Sequence, residues 1–250
     1  MTDQETQKRM AAEAAVELIN DGDVVGLGTG STVKYVLEAL GKKVQQGLKV
    51  KGVATSVQTE ELAKSLNIPL ITIDEMIQKY RGIDIAIDGA DHIDESYRII
   101  KGGGGAMHRE KIVLMYADMK VIIVDESKMV KKLAGLILPV EVTKFSSPFV
   151  QEAITGFEIT SKLRLDSHGQ PFVTDNGNYI LDCKLHKEVD LSEISVLLPV
   201  IPGVVDHGLF VNLATKIIVG GPKGVKVYDM DPVEIPSEEE FEKFMMQQLV

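Results

Sequence analysis

Over the first half of the chain, short runs of Val, Ile and Leu alternate with longer segments whose apolar residues recur every three or four positions. VVGLG (24–28), KGVATS (51–56), PLITI (69–73), IDIAID (83–88) and KVIIVD (120–125) read as strands. TVKYVLEAL (32–40), TEELAKSL (59–66), DEMIQKY (74–80) and AMHREKIVLMYA (106–117) read as helices, as do most of the first twenty residues. Strands rich in Val and Ile and separated by helices indicate βα units and an α/β fold, with a mostly parallel sheet covered by helices on both faces. Such sheets bind ligands at the carboxyl ends of their strands. That rule directs attention to the loops at 28–32, 88–92, 101–105 and 125–128.

From about Leu138 the rhythm changes to VEVTKF (140–145), SPFVQEAIT (147–155), FEITSKLRLD (157–166), PFVTDNGNYILDCKL (171–185) and LSEISVLLPV (191–200), or strand, helix, strand, strand, helix. Asn176-Gly177 signals a hairpin in which both turn positions take positive φ. This is a small α+β unit with antiparallel character, inserted before TKIIVGG (215–221) and VKVYD (225–229), and KIIVG is expected to rejoin the first sheet. The expected division is 1–137 with 205–250 for the large domain and 138–204 for the small one. SEEEFEKFMMQQLV closes the chain as a predicted helix, with a capping-box pattern at Ser237 and Glu240.

Composition narrows the function. The 250 residues carry 27 Lys+Arg against 37 Asp+Glu, a formal charge of −10. That deficit argues against nucleic acid, whose backbone is bound by surplus Lys and Arg. A single cysteine, Cys183, excludes an internal disulfide and thiolate zinc sites and fits a reducing, cytoplasmic setting. No signal peptide is expected, and the longest apolar stretch, Val196 to Val205, is broken by Pro199, Pro202 and Gly203, so no membrane span is expected.

Four motifs carry candidate chemistry. Gly28-Thr29-Gly30-Ser31-Thr32 joins a strand to a helix, where backbone N–H groups and hydroxyls can take a phosphate; it is neither a Walker loop nor a full dinucleotide fingerprint. An ordinary turn capped by Ser31 or Thr32 is the plain structural alternative. Asp88-Gly89-Ala90-Asp91-His92 ends a strand with two carboxylates whose repulsion would raise one pKa; a metal site and a capped polar turn compete with it. Lys101-Gly102-Gly103-Gly104-Gly105 opens a helix, and four glycines cost backbone entropy that close approach to a ligand oxygen would explain. Glu110 lies one turn into that helix, where the helix end and Lys101 are expected to keep it ionised as a general base. Asp125-Glu126-Ser127-Lys128 ends a strand with a lysine that either meets an anion or is solvated. Lys101 and Lys128 both fall in residues 101–150, a stretch of net positive charge.

Together GTGST, DGAD, KGGGGAMHREK, DESK, VTDNGN and IPGVVDHGLF resemble, in order and spacing, the type A ribose-5-phosphate isomerases, from about Asp23 to Val227. The resemblance implies a Rossmann-like domain with a smaller inserted ferredoxin-like α+β domain. It further implies interconversion of D-ribose 5-phosphate and D-ribulose 5-phosphate through a cis-enediol(ate), without metal or organic cofactor, in a homodimer or a tetramer. By motif, Glu110 matches the general base, Asp88 and Asp91 the carboxylates that handle ring opening and hydroxyl protons, and Lys101 with Gly102, Gly103 and Gly104 the loop at the reacting end of the sugar. Thr29, Gly30, Ser31 and Thr32 match the substrate-binding loop, Gly89 and Ala90 lie within the substrate-contacting DGAD motif, Lys128 matches a further substrate contact, and Lys8 an approach to the phosphate. His92 departs from the family's usual Glu; a titratable group there either moves the pH profile beside Asp88 and Asp91 or, as the plainer reading, caps a turn. Two other classes stay open: a deaminase or CoA-transferase-like enzyme on a related sheet, which should lack the joint Asp88, Asp91, Lys101 and Glu110 set, and a sugar-phosphate sensor, which would need an output domain.

Overall fold

The computed structural model describes residues 3–157, 159–186 and 190–230; the helix predicted at 237–250 lies outside the described residues. Along the chain run α1 (Gln4–Val16), β1 (Val24–Leu27), α2 (Ser31–Gln45), β2 (Lys51–Ala54), α3 (Val57–Ser65), α4 (Ile73–Lys79), β3 (Ile83–Gly89), β4 (His92–Ile93) and β5 (Ile99–Ile100). Then follow α5 (Met107–Met115), β6 (Ala117–Asp125), β7 (Ile137–Val142), α6 (Ser147–Thr155), β8 (Thr160–Leu163), β9 (Tyr179–Lys184), α7 (Leu191–Leu197), β10 (Val204–His207), β11 (Leu209–Phe210), β12 (Lys216–Gly221) and β13 (Gly224–Asp229).

Six strands form the main sheet in the order β13-β12-β6-β3-β1-β2, parallel except for the edge pair β12–β13. Side chains alternate across a strand, so Val121 and Ile123 of β6 face one layer while Ile122 and Val124 face the other, and both layers are apolar. α1, α2 and α3 cover the first face through Ala11, Ala15, Val36, Leu37, Leu40 and Ala63. α5 covers the second through Met107, Val113 and Leu114, joined by Phe210 of β11. KIIVG rejoins the first sheet as expected: β12 lies parallel to β6.

β7, α6, β8, β9, α7 and β10 build an antiparallel sheet of order β10-β7-β9-β8, the 4-1-3-2 arrangement of a ferredoxin-like unit. Its core is separate, with Leu138, Val140, Val150, Ile154, Leu181 and Ile194 fully or almost fully buried. A third small sheet, β11-β5-β4, stands between the two.

Two expected features take another form. PLITI (69–73) is not a strand: Leu70 makes one bridge to Gly52, and Thr72 then turns the chain into a capping box with Glu75 that starts α4. The Asn176-Gly177 turn has positive φ at Gly177 alone, 81°, because Thr174 and Asn178 close a three-residue loop in which Asn176 stays in an ordinary conformation.

α1 rests directly on β12. A Cβ at Gly220 would stand 1.9 Å from the Gln7 carbonyl oxygen, a backbone atom that yields only if the helix lifts. Gly220→Ala is therefore expected to destabilise the protein by about 1–3 kcal/mol, read as a lower urea midpoint at unchanged m-value. An unchanged midpoint would mean that the helix is not seated on this strand.

Candidate active site

Four loops at the carboxyl ends of β1, β3, β5 and β6 meet in one place. They enclose a cavity of about 100 Å³ lined by Thr29, Gly30, Ser31, Thr32, Gly89, Ala90, Asp91, Lys101, Gly102, Gly103, Gly104, Glu110 and Lys128. Every residue singled out at the motifs' binding positions is in this wall except Asp88, which lies beneath it, and Lys8, which pairs with Glu5 on α1 at 2.8 Å.

Asp88 is the penultimate residue of β3 and is 1% exposed. A Cβ at Gly28 would come within 2.2 Å of its carboxyl, so glycine there is what admits Asp88 to the sheet end. Asp88 Oδ1 accepts from the N–H of Thr29 at 3.2 Å and of Gly89 at 2.7 Å, tying two loops together. Lys101 Nζ lies 3.0 Å from the same oxygen and 3.4 Å from Glu110 Oε2, and it donates to the Gly89 carbonyl. Lys101 is 3% exposed and Glu110 4%. Both carboxylate contacts are ion pairs, and among the described residues Asp88 Oδ2 and Glu110 Oε2 have no hydrogen-bond partner.

Two carboxylates and one ammonium, all buried, cannot be charge-neutral unless one carboxyl holds a proton. Burial first, and then the charge of Asp88, push Glu110 up to about 8 against the partial relief from Lys101. This reverses the expectation that Glu110 stays ionised, which weighed the helix end and Lys101 but not the loss of solvent. Burial likewise raises Asp88, and Lys101 opposes it. For Lys101, burial pulls down, but Asp88 and Glu110 outweigh it and hold the ammonium above its ordinary range.

The glycine loop divides by purpose. Gly102 and Gly105 have φ of 104° and 82°, which L side chains avoid, and a Cβ at Gly103 would meet Asp91 Oδ1 at 2.8 Å. Gly104 alone has nothing nearer than Thr29 Cγ2 at 4.0 Å, which leaves its space to a ligand. The Gly103 N–H donates to Asp91 Oδ2 at 2.7 Å and so fixes that carboxylate in the cavity wall.

Gly30, not Ser31 or Thr32, caps α2 and supplies no side-chain bond, so the N–H groups of the first turn remain for a ligand. Thr29 Oγ1 turns away from the cavity into a hydroxyl cluster with Thr55 at 2.8 Å, Ser56 at 2.8 Å and Thr59 at 3.2 Å, and Thr59 donates to the Gly28 carbonyl at 2.7 Å. That cluster fixes the loop, and a Thr-Ser-x-x-Thr run at a strand end was its only sequence trace. On the remaining side Asp125 caps Ser127 N–H at 3.1 Å and so aims Lys128 at the cavity.

VTDNGN serves as a latch. Glu141, fully buried, accepts from Thr174, Asn176 and Asn178 at 2.8–3.1 Å. Arg109, beside Glu110, donates to Asn176 Oδ1 at 2.7 Å and to the Asp175 carbonyl at 2.9 Å. On the opposite flank of α5, Lys111 and His108 both pair with Asp206. Glu110 is thus held from two directions.

His92 caps no turn: it sits in β4 opposite Ile100, where burial and then the charge of Lys128 lower its pKa and keep the ring neutral. The Asp88, Asp91 and His92 set weighed for a metal is not gathered, and among the described residues no three His, Cys, Asp or Glu side chains converge to hold one. Among the same residues no helix is long and apolar enough to cross a membrane.

A family model for ribose 5-phosphate isomerase A (phosphoriboisomerase A) matches residues 51–224. The chain is 44% identical over 229 residues to ribose-5-phosphate isomerase A of Parvibaculum lavamentivorans, covering 89% of this chain and 97% of that one. It is 43% identical over 222 residues to the Bacillus mycoides protein of the same name, covering 88% and 98%. Among solved structures, a D-ribose-5-phosphate isomerase in complex with phospho-erythronic acid superposes with a TM-score of 0.87 at 36% identity, covering 92% and 100%. The ribose 5-phosphate isomerase A of Methanocaldococcus jannaschii does so at 0.84 and 39%, covering 90% and 99%. Sequence and fold agree over nearly the whole length of these proteins, and the chain belongs to the ribose 5-phosphate isomerase A family.

Proposed function

We propose that the chain interconverts D-ribose 5-phosphate and D-ribulose 5-phosphate, with Glu110 as the general base. The observation that carries this reading is the placement of Glu110, buried in the cavity wall with Lys101 beside it and Asp88 behind Lys101. A hydrogen on the carbon next to a carbonyl is a weak acid, so the reaction needs a strong, positioned base and fixed donors for the oxygen that becomes negative.

In the open-chain aldose, Glu110 takes the proton from C2, and the electron pair moves to form the C1–C2 double bond with negative charge on O1. Lys101 Nζ and the Gly104 N–H stabilise that oxygen. O1 gains a proton and O2 loses one, a transfer assigned to Asp91 at the mouth of the cavity. Glu110 then returns its proton to C1, giving the ketose. Asp88 acts on the substrate's hydroxyls chiefly through Lys101, whose charge it maintains. The phosphate is placed against the first turn of α2, at Ser31 and Thr32, with Lys128 supplying charge. Neither metal nor organic cofactor enters this scheme.

The proposed division of labour gives residues 1–137 and 205–250 the catalytic part and 138–204 the support of its loops, except that β10 (Val204–His207), which straddles this boundary, pairs with β7 and goes with the supporting sheet. A homodimer, with a tetramer as the alternative, and a cytoplasmic location complete the proposal. Sedimentation equilibrium distinguishes these assemblies from a monomer.

The direct assay adds ribose 5-phosphate to EDTA-treated protein and follows ketose formation; activity is expected, and its absence at micromolar enzyme would overturn the reading. In the same assay Glu110→Gln should lower kcat by about 10²–10⁴-fold while inorganic phosphate binds as in the parent. A mutant that keeps near-normal turnover would remove Glu110 from the role of base.

Because the base must be deprotonated, kcat/KM should rise with pH through the raised Glu110 value, about 8 in the free protein. Asp88→Asn removes a charge that raises Glu110, so its acid limb should move to lower pH even as the rate falls. The substrate phosphate titrates near pH ~6 in both proteins, which makes the difference between them the informative quantity. A limb that stays fixed, or moves upward, would contradict the coupling.

A further inference from the structure

The loop facing the substrate is pinned from the small sheet. Arg164 follows β8, and its Nη1 donates to the Gly102 carbonyl at 2.7 Å and to the Gly103 carbonyl at 3.2 Å. Asp182 of β9 grips the other edge of the guanidinium: Nε donates to Oδ2 at 3.0 Å and Nη2 to Oδ1. The Phe172 ring lies 5.9 Å from the guanidinium carbon, and the same ring would block a Cβ at Gly105. A two-point carboxylate and an aromatic ring fix the direction of a fork of donors in a way that a lysine could not.

What this fixes follows from the geometry of the peptide unit. In a trans peptide the carbonyl and the next residue's N–H point in opposite directions in one plane. Holding the Gly102 carbonyl therefore aims the Gly103 N–H, which is the donor on Asp91. Holding the Gly103 carbonyl aims the Gly104 N–H, which has no partner among the described residues and borders the cavity. Within the loop the Gly105 N–H also donates to the Gly102 carbonyl at 3.1 Å, but four glycines have no side chains to stiffen the run and among the described residues the Gly103 carbonyl is held by Arg164 alone, so the aim of the Gly104 N–H comes from outside the loop. We propose that Arg164, anchored by Asp182, is a positioning residue for the isomerisation: it sets the two peptide planes that present the Gly104 N–H and Asp91 to the reacting end of the sugar.

The inference rests on the proposed role of this loop. It is tested with Arg164→Met, Arg164→Lys and Asp182→Asn, with Lys226→Ala, exposed on β13 of the other sheet, as the neutral control. The readings are kcat, KM, the thermal midpoint, and the dissociation constants of two probes. Inorganic phosphate reports on the α2 end, and phospho-erythronic acid adds a carboxylate at the far end of a four-carbon chain, a negatively charged group for the donors at the glycine loop. Arg164→Met should lower kcat by about 10–100-fold, less than outright loss of a donor to such an oxygen. It should weaken phospho-erythronic acid by a similar factor and leave inorganic phosphate within about 2-fold, since the α2 donors are untouched. Arg164→Lys should recover only part of the loss. Asp182→Asn leaves the Arg164 guanidinium in place but loses the two-point carboxylate that grips it; it should shift both readings the same way by a smaller factor, and it carries the test if Arg164→Met does not fold. A folded variant with parental kcat, or one that weakens both probes equally, overturns the positioning role. Failure of the parent protein to form ketose would instead overturn the proposed function itself.

Discussion

The burial of Asp88, Lys101 and Glu110 in one contact is the constraint around which the site is arranged. Taking ions out of water costs several kcal/mol each, and that cost is offset only where opposite charges meet in close geometry. Here a single ammonium serves two carboxylates, 3.0 and 3.4 Å away, and the excess negative charge is relieved by a proton on the pair. The same imbalance that costs stability makes Glu110 a stronger base than a solvated glutamate. The features that permit the contact are spread along the chain: Gly28 makes room for Asp88, β5 delivers Lys101 and the first turn of α5 delivers Glu110.

Around this centre the two sheets divide the work. The parallel sheet brings four loops to one edge, as its topology requires, and supplies both the charged centre and the start of α2. Among the described residues the ferredoxin-like unit adds none to the cavity wall, yet it holds the site's loops and α5 in place: Arg164 on the glycine loop, the VTDNGN latch on Arg109, and Asp206 on Lys111 and His108. An acidic protein can then bind an anionic sugar phosphate locally, by a helix start and a few lysines, while its overall charge of −10 discourages polyanions.

Much of this was legible in the sequence, for definable reasons. Continuous Val/Ile runs separated by helical segments specify βα units, and KIIVG could be assigned to the first sheet because it is such a run, although its place beside KVIIVD could not be read. Of the motif residues given catalytic or binding positions, all but Asp88 and Lys8 line one cavity. What was missed depends on contacts between distant residues. β4, β5 and β11 are two residues each, too short for a periodic signal. PLITI has strand composition but is cut by Thr72, whose hydroxyl is worth more as a helix cap. The protonation of Glu110 was reversed because sequence shows its charged neighbours but not the exclusion of water. Arg164 was invisible because its partners, Gly102 and Asp182, lie 62 and 18 residues away.

The most direct test of the account is the protonation state of Glu110 in the ligand-free protein, read by infrared difference titration of the parent against Glu110→Gln. The account predicts a protonated carboxyl signal that persists at neutral pH, is lost only as pH approaches about 8, and is absent from the variant. A Glu110 signal that titrates in the ordinary glutamate range would contradict it, because the buried pairing could not then be what makes this residue a base.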